Sequence, residues 1–197
     1  TTTLPPRYPV PQAVCYEQPL NERVRFLLRL EFLFQQVTHA MRGHSPWDSR
    51  FALQGLLDIL ALTGRNEFKG ELLKELDRHA TTLNRLRQMP SVDMTLLDGV
   101  LSEISELIPR IHGVDSLMRE TVRQTDFLSA IHKRSHVPGG SCQFDIPALY
   151  HWLQSDHLLR IEHLQRWLTP FGPMRDAITL ILQLIRESAT PHPEIAV

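Results

Sequence analysis

Residues 19–37 read Pro19-Leu20-Asn21-Glu22-Arg23-Val24-Arg25-Phe26-Leu27-Leu28-Arg29-Leu30-Glu31-Phe32-Leu33-Phe34-Gln35-Gln36-Val37. The fold class turns on this stretch. At about 100° per residue, Glu22, Arg25, Arg29 and Gln36 fall together within about 60° of arc. Val24, Leu27, Leu28, Leu30, Phe32, Leu33, Phe34 and Val37 take up most of the remaining circumference. A helix that is apolar on nearly every side belongs inside a bundle. Its arginines are then expected to be partly desolvated. They pair with a carboxylate inside the protein, or they face a groove that receives an anionic partner.

The pattern on either side is helical as well. Ser45-Pro46-Trp47-Asp48 is a helix start: a capping serine, a proline suited to the first turn and an acid suited to the N-terminal dipole. Asn66 can cap the next helix, whose stripe is Leu72, Leu73, Leu76, Ala80 and Leu83. After Met89-Pro90-Ser91, a matching stripe of Leu97, Val100, Leu101, Ile104, Leu107, Ile108 and Ile111 follows. Two amphipathic helices joined by a short proline-containing loop predict an antiparallel hairpin. Gly113 is expected to precede a shorter helical stretch over 115–134, ended by the Pro138-Gly139-Gly140 turn. Asp145 and Pro147 predict a capped helix bearing Leu149, Trp152 and Leu153, followed by one carrying Leu158, Ile161, Leu164 and Trp167. Thr169-Pro170-Phe171-Gly172-Pro173 is a stop, and Ala177, Ile178, Ile181, Leu184 and Ile185 line the last helix.

The ends read differently. Residues 1–13 carry Pro5, Pro6, Pro9 and Pro11 and are expected to be a flexible arm. Residues 13–17 look like one short strand, which must pair with something. The expectation is therefore a mainly α fold: a single helical bundle over 14–188 with a leading strand and a tail over 189–197.

Composition narrows the function. The 197 residues are 42% hydrophobic and 22% charged, with a net charge of −1, and suit one ordinary globular domain. A general nucleic-acid binder is usually plainly basic. The basic residues are mostly arginine, the lysines being Lys69, Lys74 and Lys133. Arginine leans toward geometric grip on carboxylates. Cys15 and Cys142 form no metal-type spacing and read as reduced thiols. No apolar run approaches a membrane span, and no signal-peptide pattern opens the sequence; the expectation is a cytoplasmic protein with no membrane partner.

Candidate chemistry is sparse. His132 and His136 stand four apart, as two zinc ligands on one helix face would, but no glutamate takes the position a zinc protease needs. Pro138-Gly139-Gly140-Ser141 lacks the Gly-Lys-Ser/Thr ending of a phosphate loop and reads as a turn. Cys142 and His151 lie nine apart with no orienting third group. The reading is a non-enzyme without cofactor or metal.

Three blocks carry a resemblance. Pro19-Leu20-Asn21-Glu22-Arg23 running into Leu28-Arg29-Leu30-Glu31 is the first. The second is Arg65-Asn66-Glu67-Phe68-Lys69-Gly70-Glu71-Leu72-Leu73-Lys74-Glu75-Leu76-Asp77-Arg78. The third is Val137-Pro138-Gly139-Gly140-Ser141-Cys142-Gln143-Phe144-Asp145-Ile146-Pro147, with His151-Trp152-Leu153 after it. Together and in this order they resemble the ZapD (YacF) family of cell-division proteins. The resemblance implies a cytoplasmic, dimeric, non-enzymatic protein that binds the C-terminal tail of the tubulin-like protein FtsZ and bundles its filaments at the division ring. It also implies that the leading strand joins a small sheet with a C-terminal β-rich segment, which is expected to be missing beyond the 189–197 tail. The partner-binding residues expected on this basis are Arg25, Arg29, Arg65, Lys69, Arg123 and Arg134 for carboxylates, with Tyr150, His151 and Trp152 as an anchor. The competing reading buries Trp152 in the core and pairs Arg29 with Glu31 or Glu71. Two rival functions stand beside it: a helical adaptor for another peptide, and an all-α enzyme whose histidines hold a metal.

Overall fold

The computed structural model describes residues 16–188 apart from 65, 91, 124–125 and 135–136, and sets aside the side chains of 66–67 and 115–123. The fold is mainly α, as the periodicity predicts. The helices are α1 (Glu22–Ala40), α2 (Pro46–Thr63), α3 (Asn66–Leu86), α4 (Met94–Arg123), α5 (Asp126–Arg134), α6 (Pro147–Leu153), α7 (His157–Leu168) and α8 (Gly172–Glu187), with a 3-10 turn over Thr169–Phe171 before α8. The strand expected over 13–17 lies mostly outside the described residues; Tyr16 and Glu17 carry no regular secondary structure. The tail over 189–197 also lies outside them.

Local chemistry sets the helix starts. Asn21 caps α1, accepting the Val24 amide at 2.9 Å, so the helix begins after the Pro19-Leu20 segment rather than within it. Ser45 and Asp48 form a reciprocal capping box at α2 with Pro46 in the first turn. Asp145 does not cap α6 as expected. Its carboxylate pairs with Arg134 at 2.6 Å and accepts from the Cys142 thiol at 3.2 Å, while Ile146 sits at the cap without a side-chain bond. Gly113 does not end a helix either. α4 runs through both Pro109 and Gly113 to Arg123, because the buried stripe Leu107, Ile111 and Val114 continues across them. A helical glycine costs only about 1 kcal/mol, less than that burial returns.

α1 and α2 pack antiparallel, as do α1 and α8 and the hairpin pair α3 and α4. The main core forms where Leu30, Phe34 and Val37 of α1 meet Leu53 and Leu56 of α2, Leu72 and Leu76 of α3, Ile104 and Leu107 of α4, and Ile178 and Ile181 of α8. Phe127, Trp152 and Trp167 make a second packing centre joining α5, α6 and α7, with ring centroids 5.6 to 5.8 Å apart. Trp152 is therefore core, and its indole N–H donates to His163 Nδ1 at 3.1 Å. α7 buries Arg160, Leu164 and Trp167, whereas Leu158, expected on that face, is exposed.

Candidate functional site

The site is built on the outer side of α1. The helix buries Leu27, Leu30, Phe34, Val37 and Ala40. Arg25 and Arg29 stay on the far side, so the desolvation expected of them does not occur: Arg29 is exposed and Arg25 is half-exposed. Arg25 pairs with Glu22 one turn back. Arg29 makes no hydrogen bond or ion pair with any described residue. Glu31, its expected partner, is taken by Arg186 of α8 at 2.6 Å. Glu71, the other, is taken by Arg23 at 3.1 Å and Lys74 at 2.9 Å.

Arg29 lines a shallow pocket of about 390 Å³ with Phe32 and Leu33 of its own helix and Asp58, Ala61 and Leu62 of α2. Phe32, read from the sequence as core, is 62% exposed here. Leu62 also lines a neighbouring cavity of about 410 Å³ between α1 and α3, floored by Phe26, Leu27, Phe68 and Leu72. Phe26 and Phe68 stand 4.8 Å apart. Glu22, Arg23, Glu71 and Glu75 complete its lining. Leu62 lines both hollows, which together are called the α1 groove, and Arg29 borders the second of them.

One wall of the groove is fixed by a buried charge network. Glu75 is 3% exposed, and accepts from Arg23 of α1 at 2.5 Å and from Arg78 one turn on. Burial pushes its carboxyl pKa up, but the hydrogen bonds from Arg78 and Arg23 outweigh burial and hold it below the usual carboxylate value. His79 Nε2 lies 3.4 Å from Glu75 Oε1, yet burial keeps its pKa below the ordinary 6.5. On the α8 side of α1, Glu31 at mid-helix and Glu17 before its start grip Arg186 and raise its pKa further. These carboxylates hold the chain before α1 against α8.

The remaining expected residues lie elsewhere. Lys69 donates to the His112 carbonyl of α4 at 2.9 Å. Arg134 is spent on Asp145 and pins the loop after the Gly139-Gly140 turn. Tyr150 and His151 project from α6 into solvent. No described residue of α5 or α6 lines either part of the groove. Arg65 and the side chain of Arg123 lie outside the described residues. Phe26, Leu62 and Phe68 were not anticipated. Phe32 was legible in principle, since it falls about 20° from Arg25 around the helix and so borders the polar stripe.

Among the described residues no group of three or more His, Cys, Asp or Glu side chains could hold a metal ion; His136 lies outside them. No helix among them is long and apolar enough to cross a membrane.

Comparison with known proteins points one way. A family model described as "ZapD: Cell division protein" matches residues 28–197. The chain is 37% identical over 183 residues to the cell division protein ZapD of Aromatoleum aromaticum, covering 93% of this chain and 72% of that protein. It is 39% identical over 176 residues to the protein of the same name from Methylococcus capsulatus, covering 89% and 69%. The Ralstonia pickettii protein is 36% identical over 183 residues, covering 93% and 73%.

Proposed function

The chain belongs to the ZapD family of cell division proteins, and from that premise we propose that it binds the C-terminal tail of FtsZ in the α1 groove. As a homodimer it then crosslinks FtsZ filaments into bundles at the division ring. The reading needs no chemical step. A short tail peptide with carboxylates and apolar side chains requires a cation for the former and hollows for the latter. The observation that carries the reading is Arg29, exposed, without a partner among the described residues and sharing its pocket with Phe32, Leu33, Asp58 and Ala61. An arginine with no internal partner loses none when an external carboxylate arrives, so the full gain of a charge-assisted bond goes to binding. Arg25 must first leave Glu22, and serves as a weaker second contact. A two-fold dimer presents the groove twice, and the second contact to a many-tailed filament becomes effectively intramolecular.

Low-speed co-sedimentation with polymerised FtsZ tests this. Pelleting is expected with full-length FtsZ and is expected to fail with FtsZ lacking its tail. Arg29→Glu should abolish pelleting while leaving the helical circular dichroism unchanged. Undiminished bundling of tail-less FtsZ would sink the proposal.

A further inference from the structure

The pocket that holds Arg29 also holds a carboxylate. Asp58 of α2 lines it together with Arg29, Phe32 and Leu33 of α1 and Ala61 and Leu62 of α2. The two charges share about 390 Å³ and make no ion pair with each other. Asp58 has no cationic partner among the described residues: the Gln54 amide donates to its Oδ1 at 3.0 Å, and Oδ2 has no partner among them. The other acids beside α1 are spent. Arg25 holds Glu22, Arg186 holds Glu31, and Arg23 holds Glu71 and Glu75. Asp58 is half-buried, and apart from Arg29 the side chains that share its pocket are apolar. One cation and one anion, neither paired with a charged group among the described residues, thus line the same apolar hollow.

We propose that Asp58 determines the specificity of this pocket, and that the segment bound there carries a basic side chain beside the acid that Arg29 takes. This role for Asp58 rests on tail binding at Arg29 and specifies the tail chemistry that the pocket selects. A purely acidic segment seated on Arg29 sets its carboxylate in the same small pocket as Asp58. Like charges repel there, and the apolar walls strengthen the repulsion relative to open water. A lysine or arginine next to that acid relieves the repulsion and gains a charge-assisted bond to Asp58 Oδ2. Phe32 and Ala61 are exposed in the same pocket, so the methylene stem of such a side chain has apolar surface to lie on. Arg29 alone accepts any acidic peptide. Arg29 with Asp58 accepts an acid paired with a base and disfavours acids alone.

Titration calorimetry with two soluble probes tests it: the FtsZ tail peptide, and the same peptide with every Lys and Arg replaced by norleucine. Norleucine keeps the apolar stem and removes the charge. The wild-type chain is expected to bind the parent peptide roughly fivefold more tightly than the norleucine peptide. Asp58→Asn, nearly isosteric, is expected to lose that factor on the parent peptide and to lose nothing on the norleucine peptide, the coupling that a double-mutant cycle reads. If Asp58→Asn weakens both peptides alike, or neither, the role of Asp58 is overturned. Tighter binding of both peptides by the same factor would overturn it too, since Asp58 would then only compete for Arg29. In those cases a loss of binding in Arg29→Glu leaves the groove standing. Absence of parent-peptide binding, or binding that Arg29→Glu leaves unchanged, would overturn the groove and the role of Asp58 together.

Discussion

Arg160 is the residue on which the α2–α7 contact depends. It is 4% exposed and donates to Ser49 Oγ at 2.9 Å, the Leu153 carbonyl at 3.2 Å, the His44 carbonyl at 2.8 Å and the Ser155 carbonyl. A buried cation with no carboxylate partner among the described residues is tolerated because these oxygens replace its water. Arg160→Met keeps much of the volume but leaves several buried acceptors unpaired, so a loss of about 3 kcal/mol or more is expected in urea unfolding. A loss near zero would mean that water reaches those carbonyls. Glu75 and His79 make a second prediction. Both have folded-state pKa values below their ordinary ones. As pH falls, the unfolded chain takes up these protons before the folded chain does, so stability declines. His79 contributes the upper step, starting below pH 6.5, and Glu75 the lower one, starting below pH 4.5. Urea midpoints measured against pH should lose the upper step in His79→Asn and keep the lower; an unchanged profile would count against it. Neither residue was legible as special. The stripe Leu158, Ile161, Leu164, Trp167 advances three residues at a time and drifts about 60° per step, so its ends diverge by half a turn. Arg160 lies between Leu164 and Trp167 on the face that is actually buried. Arg29's freedom was equally hidden, because it depends on Arg186 and Arg23 claiming Glu31 and Glu71, the acids expected to pair with it.

At the scale of elements, two glycines separate packing from propensity. Gly55 sits where α2 crosses α1, and a Cβ there would meet Val37 Cγ2 at 2.6 Å and Gln36 Nε2 at 3.3 Å. Val37 is buried and β-branched, so it yields poorly. Gly55→Ala is expected to destabilise by about 1–3 kcal/mol despite the better helix former. Gly99 lies in α4 with nothing within 4 Å of its Cβ position. Gly99→Ala should stabilise by about 0.5–1 kcal/mol. Thermal unfolding of the two variants checks both signs, and shifts in the same direction would refute the close approach. The helices themselves were readable because each carries a long 3.6-residue stripe bounded by caps, as the Ser45–Asp48 box illustrates. The boundary after residue 111 was misplaced for a physical reason. A glycine weakens a helix by an amount that one buried Val114 recovers, and no single-residue rule weighs the two. The groove was half legible: its cation came from the opening stretch, but its floor needs Phe68, brought from 42 residues beyond Phe26 by the α2–α3 turn.

For the whole molecule, the proposed function requires that bundling respond to conditions more steeply than binding does. The net charge is only −1, so no overall field draws the protein to a filament, and the salt response comes from local guanidinium–carboxylate contacts. Raising the ionic strength from about 0.1 M to 1 M shortens the screening length from about 10 Å to about 3 Å. Each exposed contact weakens, while the apolar contribution of Phe26, Phe32 and Phe68 persists. A crosslink needs both grooves of a dimer occupied on different filaments, so its equilibrium scales with the product of two site affinities. The logarithmic salt slope of crosslinking should therefore be about twice that of single-site binding. Soluble tail peptide titrated into the protein gives the single-site slope. Clustering of beads that carry the same peptide gives the crosslinking slope and avoids the salt dependence of filament assembly itself. A ratio near two supports one groove per protomer in a dimer. A ratio near one would mean that a single groove does the clustering, and the crosslinking reading would then have to be abandoned even if tail binding stood.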